Sequence, residues 1–190
     1  MESVGFKEWA IVCEALGRGE QSIILRKGGI AEGRDGFAFR HAEFFLFPTY
    51  FHEQIGKTRA VSPEIPPRRD GEIEIRFFAK VEASRMVASW ETAVALEPLH
   101  ILRRDVVRER FEYDDAQGIH AAFVRVFRLM PSWVLPELPA YGGCRSWVKL
   151  PAPPQDLVLK AVASDAEHDR RLQELRSIER SRESARQDVQ

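Results

Sequence analysis

Residues 72–83 alternate apolar and polar side chains with a period of two. The apolar positions are Ile73, Ile75, Phe77, Ala79, Val81 and Ala83. The intervening positions are charged or small, and only Phe78 breaks the pattern. Because side chains two residues apart share one face of a strand, this segment predicts a strand with one face on the core and the other largely in water. One-sided burial of this kind is typical of antiparallel sheets.

Further strands are predicted on both sides of this segment, since short apolar runs are bounded by turn residues. They span residues 21–27, 37–39, 44–47, 99–102, 119–130 and 144–150. The two runs rich in Phe, 37–39 and 44–47, are too apolar to alternate, which favours burial on both faces. Pro131, Pro136 and Pro139 predict a loop after residue 130.

Helices are predicted across this sheet. Apolar residues recur at three- and four-residue spacing from Phe6 to Leu16, with Ser3 as a cap, and Gly17 ends the helix. A helical turn over 50–55 has Thr49 as its N-cap. Two further helices span residues 90–96, capped by Ser89, and 105–111. The fold class predicted is α+β, with a mixed sheet curled into a partial barrel, covering helices and a charged C-terminal helix.

The C-terminal segment differs from the body in composition. Residues 1–150 are interpreted as one globular domain, and residues 151–190 as a proline-rich hinge followed by a charged helical tail. Ser164 and Glu167 form a capping box at the start of that helix. Its apolar stripe is Leu172, Leu175 and Ile178. Because the stripe is narrow, we interpret the tail as an extension rather than core, and expect deletion of residues 155–190 to leave the melting temperature nearly unchanged.

Composition limits the class of protein. The chain has 190 residues, 44% apolar, with 28 basic and 29 acidic side chains, which suits a soluble domain with a sizeable core. The densest apolar run ends at Pro48 and is too short to span a membrane. With no signal peptide visible, we expect a cytoplasmic location. Cys13 and Cys144 are interpreted as reduced, buried thiols.

The basic residues are strongly biased, since 22 of the 28 are Arg. Arg makes bidentate contacts with phosphate and stacks on bases, so the bias fits a polyanionic ligand. GC-rich coding raises Arg content as well and explains the bias equally well.

Three short stretches resemble the bacterial domain-of-unknown-function family 1802. They are LRKGGI at 25–30, LFPTYFHEQ at 46–54 and CRSWVKL at 144–150. The resemblance covers roughly residues 5–150 and implies no established activity. Some members occur beside a restriction-endonuclease domain, so the resemblance implies a setting in restriction-modification or defence.

A shorter pattern is similar to the PUA and ASCH group of pseudo-barrels. It consists of Ala15-Leu16 at the end of a helix, Gly19-Glu20-Gln21 in a turn and Leu25-Arg26 at the end of a strand. This similarity implies binding of nucleic acid.

The residues themselves indicate an anion site where the strand 21–27 ends. Arg26 and Lys27 lie beside Gly28 and Gly29, whose backbone N–H groups are unobstructed by a Cβ atom. Thr49 is placed on the same ligand side. A plain turn with solvated charges accounts for the pattern equally well.

The best candidates for metal or acid-base chemistry are His41, Glu43 and His52. Their spacing is not that of helical metal ligands, so a structural role is favoured and no metal or cofactor is predicted. Cys144 as a nucleophile is less favoured than a buried, inert thiol. An Asp70-Glu72-Glu74 set imitates the nuclease metal site poorly.

These observations favour a non-enzymatic accessory module that binds DNA or RNA through Arg26, Lys27, Gly28, Gly29 and Thr49. The histidines at positions 41 and 52 would orient that site. Two alternatives stay open, a metal-dependent nuclease-like enzyme and a protein-interaction subunit whose partner, or second copy, docks on the C-terminal helix. We do not expect this protein to bind a membrane.

Overall fold

The computed structural model describes residues 3–27, 37–51, 53–59, 65–113 and 117–187. Within them the strands are β1 (Val4–Trp9), β2 (Ile23–Arg26), β3 (Glu43–Thr49), β4 (Glu72–Val87), β5 (Ile119–Pro136), β6 (Trp147–Lys149) and β7 (Val158–Ala161). The helices are α1 (Ala10–Gly17), α2 (Trp90–Ala95), α3 (Arg104–Phe111) and α4 (Asp165–Gln187). Short 3-10 helices span Ile55–Lys57, Glu97–Leu99 and Pro139–Tyr141.

One mixed sheet organises these elements. Its strand order is β2-β5-β4-β3-β1-β6, and β7 pairs with β5 beyond the end of β2. β1 and β3 are parallel, whereas the other pairs are antiparallel. The predicted α+β class, with a mixed sheet and covering helices, is confirmed, and across the described strands the sheet stays open.

The sheet buries apolar side chains on both faces, because β4 changes face partway along. Ile75 and Phe77 would share a face in a regular strand, but the register with β5 shifts between them. Phe77 therefore joins the larger cluster, the main core, while Ile75 packs in a second cluster with Phe45, Phe78 and Trp133. The prediction of a largely wet face for β4 is wrong there, since Phe78 is fully buried.

The predicted N-terminal helix is correct only in its second half. Residues Val4–Trp9 are strand β1, which lies between β3 and β6 and takes hydrogen bonds from both sides. Helix α1 begins at Ala10, and all eight of its residues are buried, so it is not an amphipathic cover. The apolar residues of this stretch have helical spacing, yet the segment forms a strand because it pairs with β3 and β6. Pairing with distant strands therefore outweighs the local preference for a helix here.

Several short predictions fail for related reasons. Residues 37–39 and 99–102 lack strand pairing, apart from one bridge between Leu102 and Thr58. Thr49 ends β3 and is not an N-cap, because its hydroxyl donates to the Glu8 carbonyl at 3.0 Å. The turn predicted over 50–55 is replaced by the 3-10 helix that begins at Ile55.

The loop predicted after residue 130 is instead strand. β5 continues through Pro131 to Pro136, because its pairing with β4 jumps from Arg128 to Trp133 and the proline lies in that irregular stretch. A missing N–H costs nothing at a position where the ladder is already interrupted. Strand β7 was not among the predicted strands.

Helix α4 packs on the body. Its Leu175 is buried within the main core, and Leu172 and Ile178 pack against that core. His168 Nε2 lies 2.8 Å from a Glu82 carboxylate oxygen on β4. The capping box is confirmed in part, since Ser164 Oγ accepts from the Glu167 N–H. The interpretation of this helix as an extension outside the core is wrong, whereas the domain boundary at residue 150 stays a prediction.

Candidate functional site

Two strand ends define a cleft of about 490 Å³, here called the basic cleft. β1 and β3 are parallel, so their carboxyl ends meet at one edge of the sheet and Trp9 pairs with Thr49. Arg26, the last residue of β2, lies on the same cleft. The described lining residues are Lys7, Trp9, Arg26, Lys27, Thr49, Glu109, Arg110, Tyr113, Gly143, Cys144 and Arg145. The structure therefore brings Arg26, Lys27 and Thr49 together.

The charge of this lining is strongly positive. Five cationic side chains stand against the single carboxylate of Glu109 among the described lining residues. A concave surface of one sign concentrates its field, so the cleft attracts anions.

The two predicted cations lie on the lining of the basic cleft, and each makes a hydrogen bond to another part of the chain. Arg26 Nε donates to Ser146 Oγ at 3.1 Å, and its guanidinium lies 5.6 Å from the centroid of the Phe6 ring. Lys27 Nζ donates to the Gly118 carbonyl at 3.1 Å.

Arg110 and Trp9 form a stacked pair in the cleft. The guanidinium lies 4.5 Å from the centroid of the indole ring and donates to the Leu25 carbonyl at 2.7 Å. Burial lowers the pKa of Arg110, opposed by the carboxylate of Glu8 at 4.0 Å. A guanidinium stays charged in proteins, so Arg110 places a fixed positive charge inside the cleft.

Lys7 is the most buried cation of the basic cleft. Its exposure is 7%, and its Nζ donates to the carbonyls of Gly142 and Gly143, both at 3.0 Å. Burial lowers the pKa of Lys7; the nearby Cys144 opposes this shift, and the charges of Arg145 and Arg26 add to it. Carbonyl oxygens hold the ammonium in place but do not neutralise it.

A second cleft of about 490 Å³ adjoins the first and shares Lys7 and Thr49 with it. We call it the aromatic cleft. Its other lining residues are Phe47, Pro48, Tyr50, Arg68, Gly71, Ile73, Glu137, Leu138, Pro139, Tyr141 and Gly142. Arg68 and Glu137 are hydrogen-bonded to each other at 2.7 Å, so this lining adds little net charge beyond Lys7.

Of the other predicted site residues, His41 and Glu43 are described, and neither lines either cleft. Gly28, Gly29 and His52 lie outside the described residues. The His41 ring contacts Trp147, with centroids 4.8 Å apart, and a Glu43 oxygen lies 3.9 Å from Lys80 Nζ. Among the residues that the structure describes, no three His, Cys, Asp or Glu side chains are grouped as a metal would require.

Sequence reasoning missed Lys7 and Arg145 as members of the basic cleft. Arg110 belongs to an arginine-rich stretch with Arg103, Arg104 and Arg108, but these three pair with Asp105, Glu97 and Glu112. The spacing of Arg110 after the buried Val106 and Val107 gives a weak signal that it faces inward. Lys7 carries no such signal, because its segment has the apolar spacing of a helix.

Cys144 corrects a further expectation, since it is exposed on the basic cleft, whereas Cys13 is buried. Burial raises the pKa of the Cys13 thiol. We therefore expect iodoacetamide to alkylate Cys144 in the folded protein and Cys13 only after unfolding, because the reactive thiolate must form and be reached. Peptide mass spectrometry over time measures both rates, and equal rates in native buffer would contradict this assignment.

No helix among the described residues is long and apolar enough to cross a membrane. A search of curated proteins finds no significant match. Among solved structures, the chain is similar to ASCH from Zymomonas mobilis, with 16% identity, a TM-score of 0.43, and coverage of 92% of this chain and 93% of that one. A mutant of the same Zymomonas mobilis protein gives 14% identity, a TM-score of 0.41, and coverage of 90% and 94%.

The sequence resemblance to family 1802 is confirmed and extends further than residues 5–150. The model of that family spans the sheet, both clefts and the first part of α4. Because it matches residues 5–174, the chain belongs to the family described as a domain of unknown function (DUF1802).

Proposed function

We propose that this protein is an accessory module that binds nucleic acid through the basic cleft. One observation carries the proposal, namely five cations against one carboxylate in a single cleft. Phosphate contacts from Lys and Arg supply most of the affinity of non-specific nucleic-acid binding. The family resemblance to proteins found beside restriction endonucleases supports a role in restriction-modification or defence.

Aromatic groups in the same cleft support nucleic acid over a simple anion. Tyr113 lines the basic cleft and is 58% exposed, and Trp9 is half-buried beneath Arg110. Bases stack on exposed aromatic rings and on guanidinium planes, while the cations contact the phosphates. The cleft combines both kinds of group.

The test is the salt dependence of binding. We expect Arg26→Gln with Lys27→Gln to reduce the slope of log affinity against log salt by about 1 to 2 units, since each phosphate contact contributes about 0.7 to 0.9. Fluorescence anisotropy with short single- and double-stranded DNA and RNA, at several salt concentrations, measures the slope. Gln keeps most of each side-chain stem, so the fold is retained.

The matched control is Arg104→Gln with Arg108→Gln. Both arginines are exposed on α3, outside the basic cleft, and pair with Glu97 and Glu112. This variant should keep the parental slope. No binding by the parent at low salt would contradict the proposed function, and a reduced slope in the control alone would move the site to α3.

A further inference from the structure

Resting on the proposed function, we infer that the basic and aromatic clefts act as one groove for single-stranded nucleic acid, in which Lys7 binds the phosphate between two nucleotides. This assigns the aromatic cleft as a base subsite and names the strandedness of the ligand. Its evidence is the junction between the clefts, the charge of Lys7 and the chemistry of the aromatic cleft.

The two clefts adjoin at Lys7 and Thr49, which line both. Gly142 and Gly143, the two carbonyl partners of Lys7, lie one on each side of this junction, Gly142 on the aromatic cleft and Gly143 on the basic cleft. Each cleft has about 490 Å³, within the range of pockets that hold small organic ligands. A chain that occupies both must pass Lys7.

Lys7 has an unbalanced charge at that junction. Within the described part of the chain its hydrogen-bond partners are two neutral carbonyls, and no carboxylate is among its ionisable neighbours, which are the Cys144 thiol and the positive Arg145 and Arg26. An ammonium has three donors, of which two are used. Buried charges are normally paired, because desolvation is costly. A phosphate supplies the missing negative charge and an acceptor for the third donor.

The aromatic cleft suits the uncharged part of a nucleotide. Tyr50 is half-buried, and Leu138 is 44% exposed on the cleft wall. Its charged rim, Arg68 and Glu137, is already paired. Apolar and aromatic walls favour the face of a base, whereas the adjoining basic cleft takes the phosphates that follow.

Strandedness follows from the depth of Lys7. With 7% of its surface exposed, it contacts only a phosphate that enters the groove. In a duplex the bases are paired inside, so none is free to fill the aromatic cleft while the adjoining phosphate reaches Lys7. A single strand satisfies both requirements.

The test measures affinities of hexamers of deoxythymidylate and of uridylate, and of a hexamer duplex stabilised by a hairpin loop, at one low salt concentration. We expect the parent to bind a single strand at least about tenfold more tightly than the duplex. Lys7→Met should weaken single-strand binding about tenfold or more, since a charge-assisted contact is lost. Its own melting temperature should be equal to or above that of the parent, because an unpaired buried charge is removed. Lys160→Met, at an exposed site on β7, is the control and should bind normally.

A second variant keeps the test decisive if Lys7→Met does not fold. Leu138→Asp places a carboxylate on the aromatic cleft wall and should weaken single-strand binding about tenfold. Val134→Asp is its control, since Val134 is similarly exposed, at 41%, and lines neither cleft. Bound hexamer should also slow alkylation of Cys144 on the basic cleft.

The outcomes separate this inference from the proposed function. Parental single-strand affinity in Leu138→Asp, or equal affinity of the parent for duplex and single strand, would overturn the inference. If Arg26→Gln with Lys27→Gln still lowered the salt slope, the proposed function would stand. A parent that bound no nucleic acid at low salt would overturn both.

Discussion

Deleting residues 164–190 should lower the melting temperature by more than about 10 °C, because α4 covers part of the main core. Its Leu175 is 6% exposed, and removing the helix exposes the core residues beneath it, such as Phe123, whose ring lies 5.2 Å from His168. A change of 1 kcal/mol shifts the melting temperature of a domain this size by about 2–4 °C, so the expected loss exceeds about 3 kcal/mol. Thermal unfolding followed by circular dichroism measures it.

A point substitution separates core packing from helix formation. Leu175→Ala should cost about 2–5 kcal/mol, as buried Leu→Ala changes do. Gln173→Ala, at an exposed position on the same helix, should leave stability nearly unchanged. Deletion that left the melting temperature within about 2 °C of the parent would restore the view that α4 is an extension.

The charged composition of α4 explains why its docking was missed. Three apolar residues spaced along a charged helix predict little burial, yet polar contacts add to the interface in the folded protein. His168 contacts Glu82, and Arg85 lies 3.1 Å from Glu179. These partners are on β4, about 90 residues earlier, so no local pattern reveals them. The start of the helix was predictable because Ser164 and Glu167 are only three residues apart in sequence.

The same division between local and distant information holds in the sheet. Ser89 was predictable as a cap, since its Oγ accepts from the Thr92 N–H three residues later. The alternation in β4 also predicted its strand. β1 was not predictable, because the segment Val4–Trp9 becomes a strand only by pairing with β3 and β6.

In the candidate site, the sequence pointed to the rim and missed the interior. Arg26 and Lys27 stand at a strand end next to two glycines, which is a local pattern. Lys7 and Arg110 are buried by neighbours that the chain supplies from several elements, and a buried cation is not what a Lys or Arg predicts on its own. The prediction for Cys144 was wrong in the opposite sense. A buried thiol was predicted, but Cys144 precedes β6 by three residues and is exposed.

The packing of α1 on β4 leads to the second large effect, the substitution Gly17→Ala. A Cβ atom on Gly17 would lie 2.0 Å from Cζ and 2.2 Å from Cε1 of Phe77. That ring has little room to move, because it is 1% exposed and the guanidiniums of Arg76 and Arg128 lie 5.6 and 5.0 Å from its centroid. Overpacking of a tight core costs about 1–3 kcal/mol and occasionally more. Because the added Cβ would be held between the helix backbone and the Phe77 ring, we expect Gly17→Ala to lower the free energy of unfolding by at least about 3 kcal/mol.

Gly56→Ala is the matched control for that substitution, since no atom lies within 4 Å of the added Cβ. Its free energy of unfolding should stay within about 0.5 kcal/mol of the parent in urea denaturation. If the clash with the ring is the cause, shrinking the ring should relieve it. Gly17→Ala combined with Phe77→Leu should therefore be more stable than Gly17→Ala alone, although Phe77→Leu by itself is destabilising. If the losses in free energy of unfolding were additive in this double-mutant cycle, Gly17 would be required for its backbone conformation and not for the space it leaves to the Phe77 ring.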